Sequence, residues 1–161
     1  MLKTRITVNM SDAKASKNPA DVLATYSLGS CIAVCLYDPA THVGGMIHYQ
    51  LPDSKIDPQR AAEKPLMFAD TGMKILINKM LQLGANKNRL QIKISGGAAM
   101  DIGPKGFDVG KRNYLAIRKI LWKQGLFIDG EDVGGSSPRN MYLNIETGAV
   151  TVRCRGLEKA L

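Results

Sequence analysis

Seven apolar residues in a row, Cys31-Ile32-Ala33-Val34-Cys35-Leu36-Tyr37, close at Asp38-Pro39. The run is of strand length, holds β-branched members and stops at a turn signal, so it reads as a strand buried on both faces. Such a strand needs a layer over each side of its sheet. Residues 42–51 read as the returning strand of a hairpin, in which Gly44-Gly45 permits a bulge.

The remaining segments supply an α+β domain. Residues 4–10 alternate loosely as a first strand, and residues 11–20 are polar with a turn at Asn18-Pro19. Val22 to Tyr26 resume a strand that runs into Leu28-Gly29-Ser30-Cys31, and residues 52–64 read as a polar loop. The spacing of Met73, Leu76, Ile77, Met80 and Leu81 predicts a helix over 65–83, opened by Pro65 and closed near Gly84. Arg89 to Ser95 read as a strand. Asp108 caps a second helix to Gln124, with Tyr114, Ile117, Ile120 and Leu121 inward. Two last strands, 141–146 and 149–155, flank Thr147-Gly148 as a hairpin. No linker or repeat interrupts the chain. Residues 1–161 read as one domain, with too few strand–helix alternations for a doubly wound sheet.

Composition narrows the setting. With 45% hydrophobic and 22% charged residues among 161, the chain is neither a disordered tail nor a membrane protein. Its first residues lack the apolar stretch of a signal peptide or membrane span, and three cysteines do not make a disulfide scaffold. The expectation is a reduced, cytoplasmic protein without membrane insertion. The net charge of +8 is uneven, with six basic and five acidic groups in residues 1–60 against sixteen and nine in residues 61–161. Aromatics are 6% and do not interleave with basic residues, which argues against a nucleic-acid partner. The basic helix face, including Lys74, Lys111, Arg112 and Lys119, is either solvated or directed at an acidic protein surface.

Folding residues 31–50 about Asp38-Pro39-Ala40-Thr41, with Asp38 paired to Thr41, sets Cys31 opposite His48 and Cys35 opposite Gly44. Directly opposed residues hold their β-carbons about 4.5–5.5 Å apart, near enough for a thiol and an imidazole to meet. A glycine bulge would slip this by one and turn His48 to the other face. Cys31 is therefore either a small buried hydrophobe or a nucleophile, while Cys35 and Cys154 read as core residues. Leu28-Gly29-Ser30 brings small residues to the thiol, and their uncovered N–H groups suit an oxyanion hole. A zinc site on Cys31, Cys35 and His48 is disfavoured, because a four-residue step along one strand separates the sulfurs by about 13 Å. His42, at the hairpin end, reads as solvent-exposed. Asp132 and Asn144 either brace loops or touch substrate.

Residues 25–39 (Thr-Tyr-Ser-Leu-Gly-Ser-Cys-Ile-Ala-Val-Cys-Leu-Tyr-Asp-Pro), then Gly44-Gly45-Met46-Ile47-His48 and Leu51-Pro52, resemble the CheD family of chemoreceptor glutamine deamidases. The likeness continues through Gly96-Gly97-Ala98, Gly110-Lys111-Arg112-Asn113, Asp132-Val133-Gly134-Gly135 and Asn144-Ile145-Glu146-Thr147-Gly148. It implies stacked β-sheets flanked by helices, like the cytotoxic necrotizing factor catalytic domains. It also implies a thiol hydrolase that converts receptor glutamines to glutamates, with a Cys–His–Thr constellation at Cys31, His48 and Thr25. Chemoreceptor cytoplasmic domains and the CheC phosphatase are the implied partners; the alternative is a non-catalytic chemotaxis adaptor. Ser27 stands where a relative carries glycine, and Ile47 where asparagine is common.

The roles follow from acyl-transfer chemistry without a metal or other cofactor. His48 accepts the proton of Cys31, whose sulfur attacks the carboxamide carbon, and later protonates the departing ammonia. The N–H of Cys31, with one from Gly29 or Ser30, is the candidate oxyanion hole, and Ser27 borders the substrate. Thr25 orients the imidazole through its hydroxyl or its carbonyl.

Overall fold

The long apolar run becomes the middle of a five-stranded sheet in the computed structural model, which describes residues 1–100 and 108–161. The strands are β1 (Thr4–Thr7), β2 (Asp12–Ser16), β3 (Asp21–Leu28), β4 (Ile32–Asp38), β5 (Val43–Tyr49), β6 (Gln91–Gly96), β7 (Gly130–Val133), β8 (Arg139–Asn144), β9 (Val150–Cys154) and β10 (Leu157–Ala160). The helices are α1 (Pro58–Glu63), α2 (Ala69–Gln82) and α3 (Val109–Lys123). One sheet has the order β2-β5-β4-β6-β7 and the other β1-β3-β8-β9-β10.

Every residue of β4 and β5 is buried, because this sheet is covered on both sides. Ile32, Val34, Leu36, Ile47 and Tyr49 pack on Met73, Leu76 and Met80 of α2 and on Ile117 and Leu121 of α3. Ala33, Cys35, Tyr37 and Met46 face the other way, onto Leu23, Leu28, Met141, Leu143 and Val152 of the second sheet. The result is an α+β stack of helices, sheet and sheet. Gly44-Gly45 makes no bulge, and the β4–β5 ladder runs unbroken from Asp38↔Val43 to Ile32↔Tyr49. Both layers instead close onto the glycines. A Cβ at Gly44 would stand 2.5 Å from Ile145 Cδ1, and one at Gly45 2.7 Å from Met80 Sδ.

The hairpin register differs from the expected one by two residues. His48 lies opposite Ala33, Cys35 opposite Met46 and Tyr37 opposite Gly44. The cause is Pro39. Two-residue hairpin turns want φ above zero at the first loop position, which proline's ring forbids. The chain therefore uses four loop residues, with His42 taking φ 56° and donating its N–H to the Asp38 carbonyl at 2.9 Å. A shift of two preserves the face of every side chain, so Cys31 and His48 remain on the same side of the sheet, now diagonal rather than opposed.

Other boundaries also move. The first strand ends at Thr7, leaving Met10 in a turn, and residues 65–83 divide into a 3-10 turn (Pro65–Met67), an extended Phe68 and α2. Leu81 is 42% exposed rather than inward. Strand β2 and the short α1 arise where the sequence reads as polar turn or loop, and β7 and β10 arise in segments to which it assigns no element.

Asp38 anchors the hairpin end. Its fully buried carboxylate accepts from Arg89 Nε at 3.0 Å and Nη2 at 2.8 Å, and from the N–H groups of Asn86 and Ala40. The guanidinium holds this carboxyl well below the usual carboxylate range. Asp38→Ala leaves the Asn86 and Ala40 N–H groups facing nothing, and the expected loss is about 1–3 kcal/mol of stability, read from urea unfolding. Asp38→Asn should recover part of it.

Candidate active site

Stacking of the two sheets, not proximity in sequence, brings the site together. Thr25 of β3 is fully buried and meets His48 of β5 across the inter-sheet layer, with Oγ1 2.8 Å from the ring Nδ1. The parallel pairing of β1 with β3 carries Val8 alongside, and Thr25 Oγ1 donates to the Val8 carbonyl at 2.6 Å. A hydroxyl has one proton to give. With that proton on Val8, the Thr25 oxygen accepts from Nδ1–H, so the ring carries its proton on Nδ1 and its lone pair on Nε2. The contact between Thr25 and the ring is thus made by the hydroxyl. Nε2 is buried and has no partner among the described residues.

Cys31 lies just before β4, half-buried against the inter-sheet cluster. The turn that delivers it is held by its carbonyls. Gly29 O accepts from Ala98 N–H and Cys31 O from Gly97 N–H, both at 2.9 Å, while Ser30 O accepts from Asn113 Nδ2 at 2.9 Å. The N–H groups of Gly29, Ser30 and Cys31 donate to no other described residue, and the Cys31 N–H lies close to its own sulfur. Donors left free beside a thiol are what an oxyanion needs. Gly29 is not the left-handed residue of this turn. That is Ser27, at φ 57°, in a β-bulge where its N–H reaches Asn140 Oδ1 at 3.0 Å. Ser27 is exposed, and Thr25 alone holds the ring.

Two residues carry the turn from beneath. Gly96 has φ 109°, and a Cβ there would collide with the Cys31 carbonyl. Asn113, fully buried at the start of α3, donates to both Ser30 O and Gln50 O, tying the Cys31 turn to the end of β5.

Burial sets the charge state. It pushes the Cys31 thiol up, against a smaller opposing effect of its own N–H, and holds the His48 imidazole down to about 4. Both shifts favour the neutral thiol and the neutral imidazole over the ion pair. The same shift predicts an acid-sensitive fold. Between the ordinary 6.5 and about 4 the unfolded histidine binds a proton that folded His48 refuses, so stability falls as pH drops through that window. Roughly 3 kcal/mol is expected across it, measured as the urea midpoint at pH 7 against pH 4.5, with His48→Gln flattening the difference. Asp38 titrates below this range and does not confuse the reading.

Residues 50–154 match the model of the family described as CheD chemotactic sensory transduction. "Probable chemoreceptor glutamine deamidase CheD" of Solibacter usitatus is 48% identical, covering 98% of this chain and 93% of that one. "Chemoreceptor glutamine deamidase CheD" of Thermotoga maritima is 41% identical, over 91% and 89%. The chain belongs to the CheD family. A solved Neisseria meningitidis structure superimposes only at TM-score 0.45 and 13% identity, over 84% of this chain and 63% of that one, too remote to add to the assignment.

In this CheD-family chain the remaining candidates divide cleanly. Asp132 pairs with Arg139 at 3.3 Å, and Asn144 caps the β8–β9 turn through Glu146 N–H, so both brace loops. His42 is exposed and touches Tyr37 OH at 2.8 Å, remote in the hairpin from His48. Cys35 is buried between the sheets, and desolvation raises its thiol far above the usual range. Among the described residues, no three His, Cys, Asp or Glu side chains are placed to share a metal ion. Asn113 is a supporting residue that the local sequence pattern does not single out, and the Gly110-Lys111-Arg112-Asn113 motif is its available signal.

Proposed function

We propose that this chain is a protein-glutamine deamidase of chemoreceptor cytoplasmic domains, acting in the cytoplasm as one domain over residues 1–161. The observation that carries the reading is a buried imidazole whose Nδ1–H is committed to Thr25 and whose Nε2 is left unpartnered on the side of the sheet that bears Cys31. Cys31 sulfur attacks the carboxamide carbon as its proton passes to Nε2, and the N–H groups of Cys31 and of Gly29 or Ser30 receive the oxyanion. The imidazolium gives its proton to the departing nitrogen, releasing ammonia and leaving a thioester. Water, deprotonated by Nε2, then hydrolyses the thioester to glutamate and restores the thiol.

The substrate side chain is short, so surrounding contacts must position it. A net charge of +8 suits a partner with acidic residues around the target, and the CheC phosphatase is a second partner on this reading. Ammonia release from purified receptor cytoplasmic fragments, falling as salt rises, is the expected result, with free glutamine a negligible substrate. Binding of the fragments without ammonia release would instead make the chain an adaptor.

A further inference from the structure

The thiol of Cys31 is half-buried, and a thioether borders it. Met10 Sδ lies 3.9 Å from Cys31 Sγ, on a side chain that is itself 53% exposed. The turn carrying Met10 is pinned at both ends. Val8 N–H donates to Ala24 O at 2.7 Å, Ser11 N–H to His48 O at 2.8 Å, and Ser11 Oγ to Gln50 Oε1 at 3.0 Å. Two residues before the thiol, a second exposed methionine covers Gly29: a Cβ built there would stand 3.4 Å from Met100 Sδ. Two thioethers thus border the same short stretch whose N–H groups are free for an oxyanion. Neither belongs to either hydrophobic core, so packing of the fold does not explain them.

We infer that Met10 and Met100 form the walls of the substrate slot, gripping the two methylenes of an unbranched carboxamide side chain and selecting glutamine over asparagine. This rests on the deamidase reading above. Methionine is apolar, unbranched and flexible, so it closes on a linear stem and still tolerates different surroundings on the protein that presents it. Asparagine, one methylene shorter, holds its carboxamide short of the sulfur when its backbone stops at the methionine rim. Met10 has a second role in the empty enzyme, shielding the thiol from small electrophiles.

The two roles give opposite signs in one variant. Met10→Ala should raise KM for a receptor fragment by about ten- to a hundredfold with kcat nearly unchanged, the usual effect of removing an apolar wall from a specificity pocket. The same variant should react faster with iodoacetamide at Cys31, and Met10→Leu should restore both values. Met100→Ala should raise KM as well, and peptides with asparagine in place of the target glutamine should stay intact. Unchanged kcat/KM in Met10→Ala, or a parallel fall of turnover and alkylation, overturns the inference. If the wild-type protein leaves every receptor glutamine intact, the deamidase reading falls instead. The alkylation comparison still decides whether Met10 covers the thiol, and an unchanged rate overturns that too.

Discussion

His48→Ala is expected to lower turnover on a receptor fragment by at least ~10²–10⁴-fold, and further because base and nucleophile act as a unit. The size follows from the environment of the thiol. Burial raises its pKa above the ordinary 9.0, so fewer than about one thiol in a hundred is ionised at pH 7 without help. Alkylation of Cys31 at neutral pH should slow in the same variant, while Cys154, at the end of β9 in the other sheet, keeps its rate. That internal comparison separates loss of the base from general disorder. His42→Asn is the matching control, since asparagine tolerates the left-handed backbone at φ 56° and the position is exposed. It should leave turnover unchanged.

Thr25→Val carries the second large effect. The replacement keeps the shape but neither donates to the Val8 carbonyl nor accepts from Nδ1–H. With no acceptor on Nδ1, the imidazole is free to move its proton to Nε2, the atom that must receive the thiol proton. Holding a catalytic imidazole in the wrong tautomer costs about 10⁴-fold where a triad acid is neutralised, and roughly 10²–10⁴-fold is expected here. Leaving a buried donor and a buried acceptor unpaired also destabilises the fold by about 1–3 kcal/mol for each group. Thr25→Ser should restore most of both. Nitrogen NMR of the His48 ring, compared between the wild type and Thr25→Val, reads the tautomer directly; an unchanged tautomer with lost activity would assign Thr25 some other role.

The sequence was most informative where both faces of a strand are buried. The Cys31–Tyr37 run and its return are unmistakable because every position is apolar or small. Strands β2, β7 and β10 escaped notice for a shared reason: each is the edge of its sheet, and β10 buries no residue at all. An edge strand with little buried surface leaves no alternation to read. The hairpin arithmetic kept Cys31 and His48 on one face of the sheet despite the wrong register. Pro39 lengthened the loop by two, and an even shift cannot change faces.

Thr25 is different. Its contact with His48 crosses from one sheet to the other, and no spacing along the chain encodes that; only the family likeness pointed to it. Asn113 and Gly96 support the Cys31 turn from residues far away in sequence, so the local pattern reads as a helix and a glycine pair rather than a cradle.

The central claim is that Cys31 converts protein-bound glutamine to glutamate. Mass spectrometry of a receptor cytoplasmic fragment tests it most directly, after incubation with the wild-type protein or with Cys31→Ala. Replacing NH₂ by OH adds about one dalton per converted glutamine. The account predicts that gain at defined glutamines with the wild type and none with Cys31→Ala. Equal conversion by both proteins, or none by either, would contradict it.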